Sequence, residues 1–269
     1  MTQRHVCLLL GALAAAACGG RGAAKVAPPA PAPTAAVTDS LWREAEARFN
    51  QGQWRKAQVL FDRLTVLVIP PDPRYYRMHF YLAEVLYAQR NHLQAVREFR
   101  RVADENPDGP LAADALVRAG DAYADLWRRA ELDPTYGETA RTVYTEAVSR
   151  YDATPAGGRA RLRLAELAEK FARKEYKSGL FYFKYKAHDS AILVFRGLIA
   201  NYPRAAVVPD ALERLIRSYL FLGYQEDVKE TCAYAAQYHP NANGPKKYCS
   251  AAPATAPTGA PGSGDAGRR

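Results

Sequence analysis

Residues 82–107, LAEVLYAQRNHLQAVREFRRVADENP, contain two helix-period patterns and end at a proline. Ala95 is followed four residues later by Phe99, and Val102 continues the same stripe. These positions share one face of a helix, where alanine allows a neighbouring helix to approach closely and the ring fills the adjoining gap. Pro107 stops the second helix, because proline cannot continue it. The stretch therefore predicts two packed helices that form one unit.

The same spacing returns along the chain, with an alanine four residues before an aromatic ring. The pairs are Ala57 and Phe61, Ala95 and Phe99, Ala140 and Tyr144, and Ala191 and Phe195, and Val228 and Cys232 keep the frame. Successive pairs lie 38, 45, 51 and 37 residues apart, so the repeat carries insertions. A repeat of this period is typical of helical solenoids. The pattern resembles the tetratricopeptide repeat, and we predict an all-α solenoid of five helix pairs.

Two of these steps are long because each contains an insertion. The 45-residue step contains the segment from Arg128 to Glu138, which delays the second helix of unit three. The 51-residue step contains a proline-free run of about 27 residues from Arg159 to Tyr185. That run predicts one long helix of about 40 Å, at 1.5 Å per residue. It would join repeats one to three, in residues 39–158, to repeats four and five, in residues 159–249.

The N-terminal residues 1–17 predict a signal peptide, since a basic start precedes an apolar stretch too short to remain as a membrane span. Ala15, Ala16 and Ala17 precede Cys18 and resemble the lipobox of bacterial lipoproteins, which implies lipidation of Cys18. The alternative is an ordinary secretory signal with an incidental cysteine. Residues 18–38 predict a flexible tether after the lipidated cysteine, and residues 250–269 predict a disordered tail, because both are poor in large side chains.

The composition favours a binding protein over an enzyme. The formal net charge is +9, which suits anionic lipid headgroups or an acidic partner. The five histidines are isolated from one another and from cysteines, so no metal site is expected. No nucleophile elbow and no phosphate loop is present, so we predict neither catalysis nor a cofactor. An exported protein is also not expected to bind nucleic acid.

Cys232 and Cys249 are the one chemical question that the sequence leaves open. In an oxidising compartment they form a candidate disulfide, provided that a C-terminal segment folds back on the last repeat. The alternative is a buried free thiol at the aromatic position of unit five together with an exposed Cys249. Both interpretations stand at this point.

The lipobox, the repeat units, the Asp133-Pro134 insertion and the long helix together resemble the BamD (ComL/YfiO) family of outer-membrane protein assembly lipoproteins. The resemblance implies a lipid-anchored scaffold on the periplasmic face of the outer membrane, in a complex with a BamA-like barrel protein and other assembly subunits. Its first repeats would bind unfolded outer-membrane proteins, and its last repeats would dock on BamA. Val194 stands where the family has a docking arginine, and the nearest basic residue is Arg196.

The aromatic residues of the first helices form the candidate peptide groove. In this repeat type the first helices line the concave surface, and rings there suit an extended apolar peptide that ends in an aromatic. The candidates are Trp42, Phe49, Phe80, Tyr81 and Tyr87. Packing between repeats is the alternative role of each ring. The alternative function is another periplasmic tetratricopeptide-repeat lipoprotein, such as a cell-envelope or division coordinator or a polysaccharide export scaffold.

Overall fold

The structure is a computed structural model that describes residues 35–250. The predicted signal peptide, Cys18, nearly all of the tether and nearly all of the tail lie outside this range. Within it, the chain forms helices and no strand, which confirms the all-α prediction. The helices are α1 Ala35–Asn50, α2 Trp54–Leu64, α3 Tyr75–Ala88, α4 His92–Glu105, α5 Ala112–Leu126, α6 Thr135–Tyr151, α7 Pro155–Lys184, α8 His188–Asn201, α9 Val208–Leu222, α10 Gln225–Tyr238 and α11 Asn243–Cys249.

The helices pack as consecutive pairs that stack side by side. Each of α1 to α10 contacts the helix that follows it, and short connections make such neighbours antiparallel. No described helix combines the length and the hydropathy needed to cross a membrane. The short helix α11 packs on α9 and α10. The sequence pattern did not predict α11.

The alanine and aromatic positions of the repeat form the centre of each helix pair. All four alanines and their rings are buried, with a relative solvent exposure of at most 1%. Opposite Tyr144 and Phe195, the first helix of the pair has a glycine. A Cβ on Gly120 would lie 2.5 Å from Tyr144 Cε1, and one on Gly179 would lie 2.4 Å from Phe195 Cε1. The ring therefore occupies the space that a side chain on the first helix would need.

Helix α7 confirms the predicted long helix, although it starts four residues earlier than predicted. Pro155 occupies the first turn, where proline's fixed φ is favourable and its missing N–H costs nothing. The Thr154 hydroxyl caps the helix by accepting from the Gly157 N–H at 3.1 Å. The hydrophobic core divides within α7, with Phe171 in the first part and Ala172 in the second. The helix is therefore both the joint and the first helix of the pair it forms with α8.

The insertion of unit three packs against α7. Trp127 is buried, and its ring lies 4.6 Å from that of Phe171. Its indole N–H donates to the Leu132 carbonyl at 3.3 Å, and its own carbonyl accepts from Lys170. Gly137 gives the ring room, since a Cβ there would lie 2.3 Å from Trp127 Cε3. The contacts of Trp127 therefore hold the segment between α5 and α6 against α7.

Replacing Gly179 by alanine tests this packing. The added methyl would displace the Phe195 ring, and overpacking of this kind typically costs about 1–3 kcal/mol. The matched control is Gly197→Ala on α8, because a Cβ at Gly197 has no atom within 4 Å. There alanine should stabilise the helix by up to about 1 kcal/mol. Urea unfolding followed by circular dichroism measures both, and equal effects of the two changes would contradict the packing described.

Candidate functional site

Four rings of the first two helix pairs form one aromatic cluster. It consists of Trp42 and Phe49 on α1, Phe61 on α2 and Tyr81 on α3. Phe49 stacks on Tyr81 at 4.8 Å between centroids, and Phe61 and Trp42 lie 5.8 Å and 6.3 Å from Tyr81. Phe61 and Trp42 are buried, whereas Phe49 and Tyr81 are half-buried. Phe61 and Trp42 therefore form the buried floor of the cluster, and Phe49 and Tyr81 form its accessible surface.

Arg77 lies at the edge of this aromatic cluster. Its guanidinium carbon is 5.3 Å from the Tyr81 ring centroid and 5.7 Å from that of Trp42. It donates to the Tyr81 hydroxyl at 3.1 Å and to Glu46 at 2.5 Å. About half of its side chain remains exposed. Rings beside an accessible guanidinium can bind a peptide that is apolar along its length and ends in a carboxylate.

Phe80 and Tyr87 lie apart from the aromatic cluster. Phe80 packs against Phe99 of its own helix pair, with the centroids 5.6 Å apart. Tyr87 lies under the Arg118 guanidinium at 4.1 Å and donates its hydroxyl to Asp125 at 2.5 Å. The structure therefore brings together three of the five predicted groove residues. Phe80 has the packing role that the sequence left as its alternative, and Tyr87 belongs to a polar surface.

That polar surface continues into a network on α3, α5, α6 and α7 that is centred on the buried side chains of Asp121 and Tyr144. Asp121 is 8% exposed and accepts from Tyr144 at 2.7 Å, from Arg118 at 3.1 Å and from Arg163 at 3.1 Å. Arg118 also makes two 2.6 Å hydrogen bonds to the Glu84 carboxylate. Burial, reinforced by the Asp121 charge, raises the pKa of Tyr144 well above its ordinary value.

The network lines a cavity of about 240 Å³. The sequence does not reveal the network, because its charges pair between helices that are distant in sequence. The one local signal is the spacing of Arg118 and Asp121, which places them on the same face of α5.

An alkaline titration tests the environment of Tyr87. Burial raises the pKa of Tyr87 to about 12, and the hydrogen bond to Asp125 contributes to the shift. The fold thus favours the neutral phenol, and this stabilisation, present below about pH 10, is lost as pH rises from about 10 to about 12. The absorbance difference at 295 nm between the native chain and Tyr87→Phe should show a midpoint near 12. In urea the midpoint should return to about 10, and a midpoint near 10 in the folded protein would refute the assignment.

Comparison with known proteins identifies the family. The YfiO family, described as "Outer membrane lipoprotein", matches residues 34–234. The chain belongs to the YfiO family. It is 25% identical over 193 residues to "Outer membrane protein assembly factor BamD" of Caulobacter vibrioides, which covers 72% of this chain and 63% of that protein. The protein of the same name from Rickettsia prowazekii is 27% identical over 102 residues, which covers 38% of this chain and 41% of that protein.

The resemblance seen in the sequence is thus confirmed, although the matches span less than two thirds of these relatives. Among solved structures, the TPR2AB domain of yeast Sti1 in complex with pHSP90 aligns over 81% of this chain and 84% of its own, at 13% identity and a TM-score of 0.42. A tetratricopeptide-repeat protein of Thermus thermophilus aligns over 80% and 98%, at 20% identity and a TM-score of 0.34.

The last helix pair of this YfiO-family chain has a cavity of about 480 Å³ between α8, α9 and α10. Leu212, Leu215 and Tyr219 of α9 form part of its wall. Arg196 is exposed and lines the cavity, together with the carboxylates of Asp227 and Glu230. An apolar wall with charges of both signs suits a protein segment.

The structure joins Cys232 of α10 to Cys249 of α11 by a disulfide, with the Cα atoms 5.6 Å apart. The bond closes a segment in which the cysteines are 17 residues apart, and it holds α11 on the end of the YfiO-family solenoid. This is the folded-back arrangement that the pairing of the two cysteines requires.

Two of the described histidines, His79 and His188, have defined packing partners. His79 Nδ1 lies 2.7 Å from Glu98 Oε2, and both side chains are buried between α3 and α4. His188 packs on Phe221. Over residues 35–250, no group of three or more His, Cys, Asp or Glu side chains is arranged to hold a metal ion.

Thiol titration tests the pairing of Cys232 and Cys249. The chain from residue 19, unfolded without reductant, should contain no free thiol and should gain two on reduction. The double variant Cys232→Ser, Cys249→Ser should lose about 3 kcal/mol of unfolding free energy, because the closed loop restricts the unfolded chain. Two free thiols before reduction would overturn the pairing.

Proposed function

We propose that this protein is a non-enzymatic scaffold for the assembly of outer-membrane proteins, anchored by lipid at Cys18 to the periplasmic face of the outer membrane. Its membership of the YfiO family supports the location, and the names of its two relatives support the assembly role. The aromatic cluster near one end of the described chain and the cavity near the other end are the two surfaces that we assign to binding. A scaffold that binds an unfolded client at one end and an assembly partner at the other needs such an arrangement.

The aromatic cluster is the observation that carries the client-binding proposal. Phe49 and Tyr81 present stacked faces above a floor of Trp42 and Phe61, and rigid aromatic contacts cost little conformational entropy. A transmembrane β-strand in its unfolded state is an extended segment with apolar residues at alternate positions. Its aromatic end can lie on the accessible rings, and a terminal carboxylate can reach Arg77. The polar network near Tyr87 follows the aromatic cluster along the solenoid, on α3, α5, α6 and α7.

The cavity between α8, α9 and α10 is the proposed docking surface for a BamA-like barrel protein. It is built from the second helices of two successive pairs and the helix between them. Arg196 is available at this cavity for a carboxylate of the partner. This position would replace the docking arginine that Val194 does not supply.

Site-specific photocrosslinking in cells tests both surfaces. A photoreactive amino acid at Glu46, the ion-pair partner of Arg77, should capture unfolded outer-membrane proteins. One at Thr231, which lines the cavity with Arg196, should capture a BamA-like barrel protein. The matched control is Arg97 on α4, an exposed arginine whose side chain is 69% accessible.

The double variant Phe49→Ala, Tyr81→Ala should reduce client capture from position 46 at least tenfold and leave partner capture from position 231 unchanged. Equal yields from positions 46 and 97, or capture only of division or peptidoglycan proteins, would contradict the proposal.

A further inference from the structure

Three aromatic rings are exposed at the C-terminal end of α7. They lie beyond the part of the helix that the connection between α5 and α6 contacts. Lys170, Lys174 and Lys177 follow one another at helical spacing and contact the connection between α5 and α6, through the carbonyls of Trp127 and Leu132 and the carboxylate of Glu131. Steps of four residues from Lys177 lead along the same helix face to Phe181 and Tyr185. There the connection no longer covers the helix.

Phe181, Tyr182 and Tyr185 form what we call the aromatic tip. The ring of Phe181 lies 4.8 Å from that of Tyr185 and 5.5 Å from that of Tyr182. Phe181 is 57% exposed and Tyr185 is 73% exposed. On a folded domain, a patch of grouped and exposed rings usually marks an interaction site.

The aromatic tip lies in a basic environment. Residues 170–186 contain six lysines and arginines and one acidic residue. Lys184 and Lys186 flank Tyr185, and both are exposed. Among residues 35–250, neither has a carboxylate within ion-pair distance. The tip therefore combines projecting rings with positive charges that are available to a ligand.

The lysines beside the exposed rings favour a membrane surface over a protein as the partner of the aromatic tip. The cores of protein interfaces are depleted of lysine, whereas aromatic rings at headgroup level with neighbouring lysines are typical of the membrane–water interface. Each lysine near an anionic bilayer gains attraction to lipid phosphates, while its stem stays along the apolar boundary. A family of outer-membrane lipoproteins works beside such a surface.

We propose that the aromatic tip docks on an anionic lipid bilayer, with Phe181 and Tyr185 at headgroup level and Lys184 and Lys186 on lipid phosphates. This goes beyond the assembly role and does not depend on it. With Cys18 lipidated, the contact becomes intramolecular, so a weak intrinsic affinity is enough to orient the body on the membrane.

Vesicle flotation with the non-acylated chain from residue 19 tests the proposal. The probes are vesicles of phosphatidylcholine alone and vesicles with one third phosphatidylglycerol. The native chain should bind the anionic vesicles at least tenfold more tightly, and 0.5 M salt should weaken this binding. Both double variants, Phe181→Ser with Tyr185→Ser and Lys184→Gln with Lys186→Gln, should lose about tenfold or more in affinity.

The matched control replaces two equally exposed apolar residues elsewhere, Val66→Ser with Leu193→Ser, which are 76% and 75% exposed. Its affinity should stay within about twofold of the native value. A Tyr185→Trp chain should gain fluorescence that brominated lipids quench.

Two results would overturn the proposal. The native chain could bind both kinds of vesicle equally or not at all, or the tip variants could bind vesicles as tightly as the native chain. If such a variant also lost photocrosslinking to an envelope protein in cells, the tip would be a protein-docking surface instead.

Discussion

Close approach of a small residue and a ring is the contact on which the solenoid depends. In the third and fourth helix pairs a ring on the second helix fills the space left by a glycine on the first, and Gly179 beneath Phe195 is the tighter of the two. Because the ring touches the backbone of the opposite helix, it sets the distance between the two axes. The pairs can stack only when that distance is kept. The surfaces at both ends of the molecule follow from the same spacing.

Much of this fold could be predicted from the sequence, since the alanine and aromatic positions are local signals that repeat. The sequence pattern places the start of α7 too late, because proline usually ends a helix, whereas Pro155 occupies the one helical turn that favours proline. Helix α11 was missed because seven residues hold too few apolar positions to show a period. Its place depends on contacts with α9 and α10, which are tertiary and leave no local pattern.

The candidate site was harder to predict for a geometric reason. Phe80 and Tyr81 are adjacent in sequence, so their side chains point about 100° apart on a helix, and only one of them can join a given cluster. Residue type alone does not decide which one. Arg77 was missed because its role appears only when Tyr81 and Trp42 are placed beside it. The pairing of Arg118 with Glu84 likewise needs the register of α3 against α5.

Helix α7 makes the two ends of the protein mechanically dependent on each other. Its 30 residues form one uninterrupted helix about 45 Å long, which contributes side chains to both parts of the hydrophobic core. Phe171 and Tyr202 lie parallel at 6.4 Å where those parts meet. A hinge inside α7 would break backbone hydrogen bonds and expose apolar surface in both parts. The aromatic cluster and the cavity between α8, α9 and α10 are therefore held at a fixed separation. Under the proposed function, a client bound at the aromatic cluster would have to span that distance by its own extension to reach a partner docked at the cavity.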